Sequence, residues 1–316
     1  MIRLGYVAIS KALDITSSRT MTYTEFNKNN DFNKLNNIII ENLNNLEKII
    51  DYNIKNNIHF YRITSKLIPL ATKDDVKFEY IDKYKNLYDK IGRKINKYNI
   101  RVDFHPDQFC VLNSTKKEIV ENSITILKHH YNILKALNIK NKIIIIHVGS
   151  SVLGKENSIK RFINNFKKLP NYLKECIAIE NDDKIYNIED CLKISDILNI
   201  PVVLDYHHHI CNNCGDIENY IDKIFKTWKF TPKIHFSSPK NKTKKEFRSH
   251  HDYINIDDFI TFLNKIKDIN INFDIMIEAK AKDEALFRLV RQLKYKDYNF
   301  LDDTTFENKK GIKHHQ

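Results

Sequence analysis

Short, almost continuously apolar runs recur along the chain. They are "IRLGYVAI" (2–9), "IHFYRIT" (58–64), "IRVDFH" (100–105), "KIIIIH" (142–147), "CIAIE" (176–180), "PVVLD" (201–205), "PKIHFS" (232–237) and "FDIMIE" (273–278). Runs with so little alternation suit parallel strands covered on both faces. The segments between them carry a helical period instead. In 31–54, Leu35, Ile38, Ile39, Leu43, Leu46, Ile49 and Ile50 fall three and four residues apart, with Asp31 placed to cap the start. Residues 116–138 repeat the pattern through Val120, Ile124, Leu127, Tyr131 and Leu134, and 160–173, 187–197, 217–227 and 256–267 read likewise. Eight strands alternating with helices predict an α/β fold, a single (β/α)8 TIM-type barrel over residues 1–300, followed by a polar tail at 301–316. A doubly wound open sheet would alternate too. However, no glycine-rich loop follows any run, and six glycines in all argue against a nucleotide cofactor.

Polar residues close these runs where a core would reject them. The third delivers His105, the fourth His147, the fifth Glu180 and the sixth Asp205. The seventh carries Lys233 and His235, the eighth ends in Glu278, and His250 and His251 precede it. In a (β/α)8 barrel such ends share one rim, where the active sites of the fold lie. Eight of the thirteen histidines (105, 147, 207, 208, 209, 235, 250 and 251) fall at or just beyond these ends. One histidine there would be an ordinary hydrogen-bonded rim residue. Six consecutive strands ending in imidazole or carboxylate predict a metal site, because such groups packed together repel unless cations organise them. Nitrogen and oxygen ligands suit Mn, Zn or Fe, and their number exceeds what one ion can use, so two or three ions are expected. Such clusters serve in-line displacement at phosphorus.

Charge strengthens that direction. Lys+Arg number 52 against 40 Asp+Glu, a formal net charge of +12, which fits a polyanionic partner such as nucleic acid. The chain is also rich in Asn, Ile and Lys, a bias that an AT-rich genome produces without any function. No run approaches the ~18 apolar residues of a membrane span, and the start does not resemble a signal peptide. Five scattered cysteines read as reduced thiols, so a cytoplasmic location is expected. "CNNC" (211–214) lacks the second pair that a zinc ribbon would need.

Taken in order, "IRLGYV", "FYRITSKLIP", "HPDQF", "IIIIHVGS", "IAIEND", "PVVLDYHHH", "PKIHFSS" and "IMIEAKAKD" resemble the UV damage endonucleases, relatives of the endonuclease IV barrels, over about residues 1–290. The resemblance implies a metal-dependent endonuclease that cuts double-stranded DNA 5′ to UV photoproducts, the pyrimidine dimers and 6-4 photoproducts, acting as a monomer. It implies three divalent ions, usually manganese, with zinc or another metal as the alternative. His105 and His147 would hold one ion and share Glu180 with a second. Asp205, His235 and Glu278 would complete the second, while His208 and His250 would hold the third. Glu180, Lys233 and His235 would serve the chemistry, with Lys233 carboxylated. Tyr6, Gln108 and Phe109 would probe the damaged dinucleotide, and Lys73 stands where the family can place a histidine near a phosphate. The D-x-x-H spacing selects His208 among 207–209, and His250 is favoured over His251. An abasic-site endonuclease of the endonuclease IV type, a metal-dependent sugar isomerase and a non-catalytic damage sensor are the alternative readings.

Overall fold

The computed structural model describes residues 1–76, 78–243 and 246–310. Its strands are β1 (Ile2–Val7), β2 (Phe60–Arg62), β3 (Arg101–Asp103), β4 (Ile144–His147), β5 (Ile177–Glu180), β6 (Val202–Asp205), β7 (Lys233–Phe236), β8 (Phe273–Ile277), β9 (Tyr298–Phe300) and β10 (Thr305–Lys310). The first eight are parallel and run β3-β2-β1-β8-β7-β6-β5-β4 in sheet order, with helices around them, the (β/α)8 fold that the apolar runs predict. Each of the eight runs contains one of them.

The chain divides into two compact units, residues 1–7, 56–60 and 179 onward, and residues 8–55 with 61–178. In the first unit β1 pairs with β8, β8 with β7 and β7 with β6, all parallel. Register is what matters for chemistry. Asp205 pairs with His235, His235 with Met276, and Glu180 with Val203. Paired residues in a sheet point the same way, and so do residues two apart on one strand. Glu180, Val203, Asp205, Lys233, His235, Met276 and Glu278 therefore share one face. Opposite them, the strands bury Ile177, Leu204, Ile234, Ile275 and Ile277 completely. Arg3 grips Asp274 with both guanidinium arms, Nε to Oδ1 at 2.6 Å and Nη2 to Oδ2 at 2.8 Å, joining β1 to β8. The tail expected at 301–316 contains β10, which pairs antiparallel with β1 and β9; residues 311–316 lie outside the described residues.

In the second unit, Phe104 just beyond β3 bridges Ile144 of β4, with Ile145 N donating to Phe104 O at 2.9 Å. The helix Phe32–Lys55 starts where Asp31 Oδ1 accepts from Lys34 N at 2.8 Å, as its sequence suggests. It packs on Lys85–Lys97, and Lys117–Ala136 follows β3. Pro170 divides the helix read at 160–173 into Lys155–Lys167 and Asn171–Lys174, because proline lacks the N–H a continuing helix would need. In the first unit, the helix read at 217–227 likewise separates into a 3-10 turn, Ile217–Asn219, and Ile221–Lys226.

Candidate active site

Two sets of chemical groups emerge, one in each unit. In the first, Glu180, Asp205 and His235 each offer a ligand atom within 4.8 Å of the others, and all three are buried. Glu180 Oε1 lies 3.1 Å from His235 Nδ1, and Glu278 Oε1 lies 3.2 Å from the same nitrogen. His208 Nδ1 is 3.4 Å from Glu180 Oε1 and 3.6 Å from Asp205 Oδ2. His250 Nδ1 approaches Glu278 Oε2 at 4.0 Å.

Local structure explains how His208 comes to join them. Asp205 ends β6 and caps the short helix Tyr206–Cys211, its Oδ1 accepting from His208 N at 2.8 Å. One helical turn brings His208 back over the strand end. His207 and His209 point elsewhere: His207 Nε2 lies 3.8 Å from Cys211 Sγ, and His209 is buried beside Tyr206. His251 is exposed, and its Nδ1 accepts from Tyr253 N at 2.9 Å, which leaves His250 as the partner of Glu278. Asn181, which the sequence reading passes over, fastens Asp205 from both sides. Its Nδ2 donates to Asp205 O at 2.9 Å, and its Oδ1 accepts from Asp205 N at 2.8 Å. Its backbone carbonyl also accepts from His208 Nδ1 at 2.9 Å, so Nε2 is the ring nitrogen that would meet a cation once that cation displaces its proton. The available signal is an amide side chain directly after a strand-end carboxylate.

Charge in this cluster is out of balance. Burial pushes Asp205 up to about 7, and the carboxylates of Glu180 and Glu278 push the same way against the pull of His208. Burial opposes charge on His208, yet Asp205 and Glu180 outweigh it and raise its pKa far above the usual imidazole range. Burial, then the neighbouring His250, lowers His207 to about 4. Three carboxylates thus crowd a water-poor site, and their mutual repulsion is what a bound cation would relieve. Lys233 is wholly buried in the same strand as His235, its Nζ 4.9 Å from the centre of the Phe60 ring.

The second unit supplies His105 and His147, half-buried, with ring centroids 5.1 Å apart. His105 Nδ1 meets Pro106 O at 2.9 Å, a donation that puts its lone pair on Nε2, while Ser65 Oγ donates to the His105 carbonyl at 2.7 Å. In the loop beyond, Asp107 Oδ1 accepts from Phe109 N at 3.0 Å, and this turn displays Gln108 and Phe109 to solvent. Phe109 is 67% exposed, so it takes no part in the core under its loop. Lys73 is exposed, its Nζ 5.5 Å from the Tyr23 ring centre. Tyr6, expected at the mouth of the site, is fully enclosed in β1 and presents no surface.

Among known proteins, the family model of UV-endonuclease UvdE matches residues 2–307. A relative named UV DNA damage endonuclease, from Bacillus mycoides (strain KBAB4), is 44% identical over 302 residues, 93% of this chain and 95% of the relative. The crystal structure of SacUVDE superposes with a TM-score of 0.86 at 35% identity, covering 94% of this chain and 99% of that one. Endonuclease IV from Thermus thermophilus shares the fold at a TM-score of 0.57 and 12% identity, covering 93% and 99% of the two chains. No helix among the described residues is long and apolar enough to cross a membrane. A match that runs almost end to end, with relatives at this identity, establishes that the chain belongs to the UV-endonuclease UvdE family, whose members cleave phosphodiester bonds.

Proposed function

We propose that the protein incises the backbone of double-stranded DNA immediately 5′ to UV photoproducts, pyrimidine dimers and 6-4 photoproducts, and so starts excision repair. Residues 1–300 are the catalytic barrel, working as a monomer in the cytoplasm. The observation that carries this reading is the buried set Glu180, Asp205 and His235 with His208, His250 and Glu278 beside it, in a chain matched to the family from residue 2 to 307.

The residues fit divalent ions. Asp205 Oδ2 is buried with no hydrogen-bond partner among the described residues, and Asp205 is pushed up to about 7 by burial and by two further carboxylates. That is the field of a cation site. Three ions, manganese by family resemblance, would be held by His105, His147 and Glu180, by Glu180, Asp205, His235 and Glu278, and by His208 and His250. Bound there, they would supply the Lewis acidity and the activated water for attack at phosphorus. The chain's own contribution is to fix these ligands in place. Asn181 orients Asp205 and His208, and Pro106 O sets the His105 tautomer. Lys233 is carboxylated in this reading, which removes an ammonium from among the ions. Gln108 and Phe109 probe the damaged dinucleotide, and Lys73 holds a phosphate near the site.

The test is incubation of the purified protein with UV-irradiated, abasic and intact plasmids, with Mn2+ and with EDTA. Nicking of the UV-irradiated plasmid alone, abolished by EDTA, is the expected result. Nicking confined to the abasic plasmid would replace the reading with an endonuclease IV activity, and nicking unaffected by EDTA would remove the metals.

A further inference from the structure

The loop after β4 displays two aliphatic side chains to water. Val152 is 51% and Leu153 is 73% exposed, and Leu153 adopts φ +64°, a left-handed backbone that β-carbon-bearing residues avoid. Leucine is a poor choice here on both counts. Asparagine or glycine would relieve the backbone, and any polar side chain would be better hydrated. Yet the turn is held firmly. Gly154 N donates to Ser151 O at 3.0 Å, Ser158 Oγ to Val152 O at 3.0 Å and Asn157 Nδ2 to Leu153 O at 2.9 Å, while Arg161 also donates to Val152 O.

The same loop is locked to the one that carries Gln108 and Phe109. Asn113 Nδ2 donates to Ser150 O at 2.6 Å, Ser150 N donates to Asn113 Oδ1 at 3.0 Å, and Arg161 Nε donates to Asn113 O at 3.0 Å. Gly149, at φ +115°, allows this approach, since a Cβ there would come 2.4 Å from Asn113 Oδ1. Both loops spring from the adjacent His105 and His147. Phe109 and the Val152–Leu153 pair are therefore two apolar projections on one braced platform, rooted at two of the proposed ligands.

We infer that Val152 and Leu153 form a second wedge, which enters the minor groove of duplex DNA beside the lesion. Charge selects the partner. Lys116, Lys160 and Lys168 are exposed on the segments flanking these loops, where Lys117 pairs with Glu121 at 3.3 Å and Glu118 and Glu156 are also exposed. Lysine still outnumbers glutamate there, and the whole chain carries +12. A polyanion is drawn to such a surface, and apolar side chains pushed between base steps are a recurrent way to hold DNA unstacked. The preformed turn means that the side chains need no ordering on binding.

The inference rests on the DNA endonuclease reading, and the experiment separates the two. Affinity for, and incision of, a short duplex bearing one pyrimidine dimer are measured with Mn2+ for the parent, Val152→Ser/Leu153→Ser and Leu153→Met. Loss of two buried aliphatic contacts should weaken affinity and raise KM about tenfold or more in the double variant. The kcat and Tm should stay near the parent's, because neither side chain packs in the core, and Leu153→Met should bind like the parent. A double variant that binds and cuts as the parent does overturns the wedge. So does a parent dimer that the double variant converts to monomer, which would assign the patch to self-association. A parent that neither binds nor cuts the damaged duplex fails the endonuclease reading itself.

Discussion

Glu180 Oε1 stands 3.1 Å from His235 Nδ1, and neither side chain reaches solvent. Two groups that water would separate are held together by strand register, through Glu180–Val203 and Asp205–His235 pairing across three neighbouring strands. Replacing Glu180 by Gln keeps the shape and removes the charge that a shared ligand must carry. Incision of UV-irradiated DNA should fall about 100-fold or more, given that even outer partners of metal ligands are worth about 10–100-fold. The circular dichroism spectrum should be retained. Normal cleavage by a folded Glu180→Gln protein would end the assignment of Glu180 as a shared ligand.

Asn181 offers a subtler test, because it touches the site only through Asp205 and His208. Asn181→Ala leaves the Asp205 backbone N–H and C=O buried without their side-chain partners. The cost is about 2–6 kcal/mol of stability, from a penalty of about 1–3 kcal/mol for each of the two unsatisfied groups. Mn2+ affinity should weaken by about 10–100-fold. Calorimetric titration with Mn2+ and urea unfolding measure the two separately. An unchanged Mn2+ affinity would make Asn181 a structural residue alone.

Much of this is legible in the sequence, for identifiable reasons. Val202–Leu204 and Ile144–Ile146 are wrapped on both faces, so their strands show as unbroken apolar runs. The polar residue closing each run is equally visible, because nothing apolar competes with Glu180 or Asp205 at its strand end. The helix Lys85–Lys97 escapes the sequence reading: Leu87, Tyr88, Ile91 and Ile95 have the right spacing but are diluted by lysine and asparagine. Lys282–Tyr295 escapes it for a related reason, its charged first turn following directly on "IMIEAKAKD". Local spacing favours His250 over His251, but what decides the choice is which ring meets Glu278, a contact between segments distant in sequence. The brace from Asn113 to Ser150 is hidden in the same way.

Gln108 and Phe109 make a sharper prediction about recognition. An exposed aromatic ring and an amide on a fixed turn can fill the gap left when a damaged base pair unstacks, and such pairs are the least costly to open. Stacking of one base on an aromatic ring is worth ~1–3 kcal/mol. Gln108→Ala/Phe109→Ala should therefore lose about tenfold or more in affinity for UV-damaged duplex, with little change on intact DNA. Equal affinity of parent and double variant for damaged DNA, measured by fluorescence anisotropy, would remove the probing role and favour the abasic-site alternative.

Lys233 poses a question of chemical form. Wholly buried and two residues from His235 on the same face of β7, an ammonium there would compete with every cation in the cluster. Carboxylation converts it into an anion. Intact mass in bicarbonate buffer should show one added carbon dioxide on the parent, lost on acidification and absent from Lys233→Met. Lys233→Met should fold, since methionine keeps most of the volume of the lysine stem without its buried charge, and should be impaired in incision. An unmodified mass under bicarbonate would favour a neutral lysine that contacts the substrate phosphate.

The adjacent histidines His129 and His130 set how the fold responds to acid. Both are buried; Tyr80 Oη meets His129 Nδ1 at 2.7 Å, and His130 Nδ1 meets Ile126 O at 2.8 Å. Burial lowers His130 from the ordinary 6.5 to about 4, and it lowers His129 well below 6.5, with the neighbouring His130 adding to the effect on His129. As pH falls through 6.5 the unfolded chain takes up these protons first, while folded His130 stays neutral until near 4 and folded His129 likewise resists protonation. The His130 contribution is therefore complete above 6.5 and drains away between about 6.5 and 4, at ~1.4 kcal/mol per pH unit, and His129 acts in the same direction. For His130 alone the loss amounts to about 3 kcal/mol across that window. Urea unfolding of the metal-free protein should show stability falling steeply between pH 7 and 5, less so in His130→Gln, which keeps a donor for Ile126 O but does not titrate. A variant whose stability falls with the parent's slope would show that the acid sensitivity originates in groups other than His130.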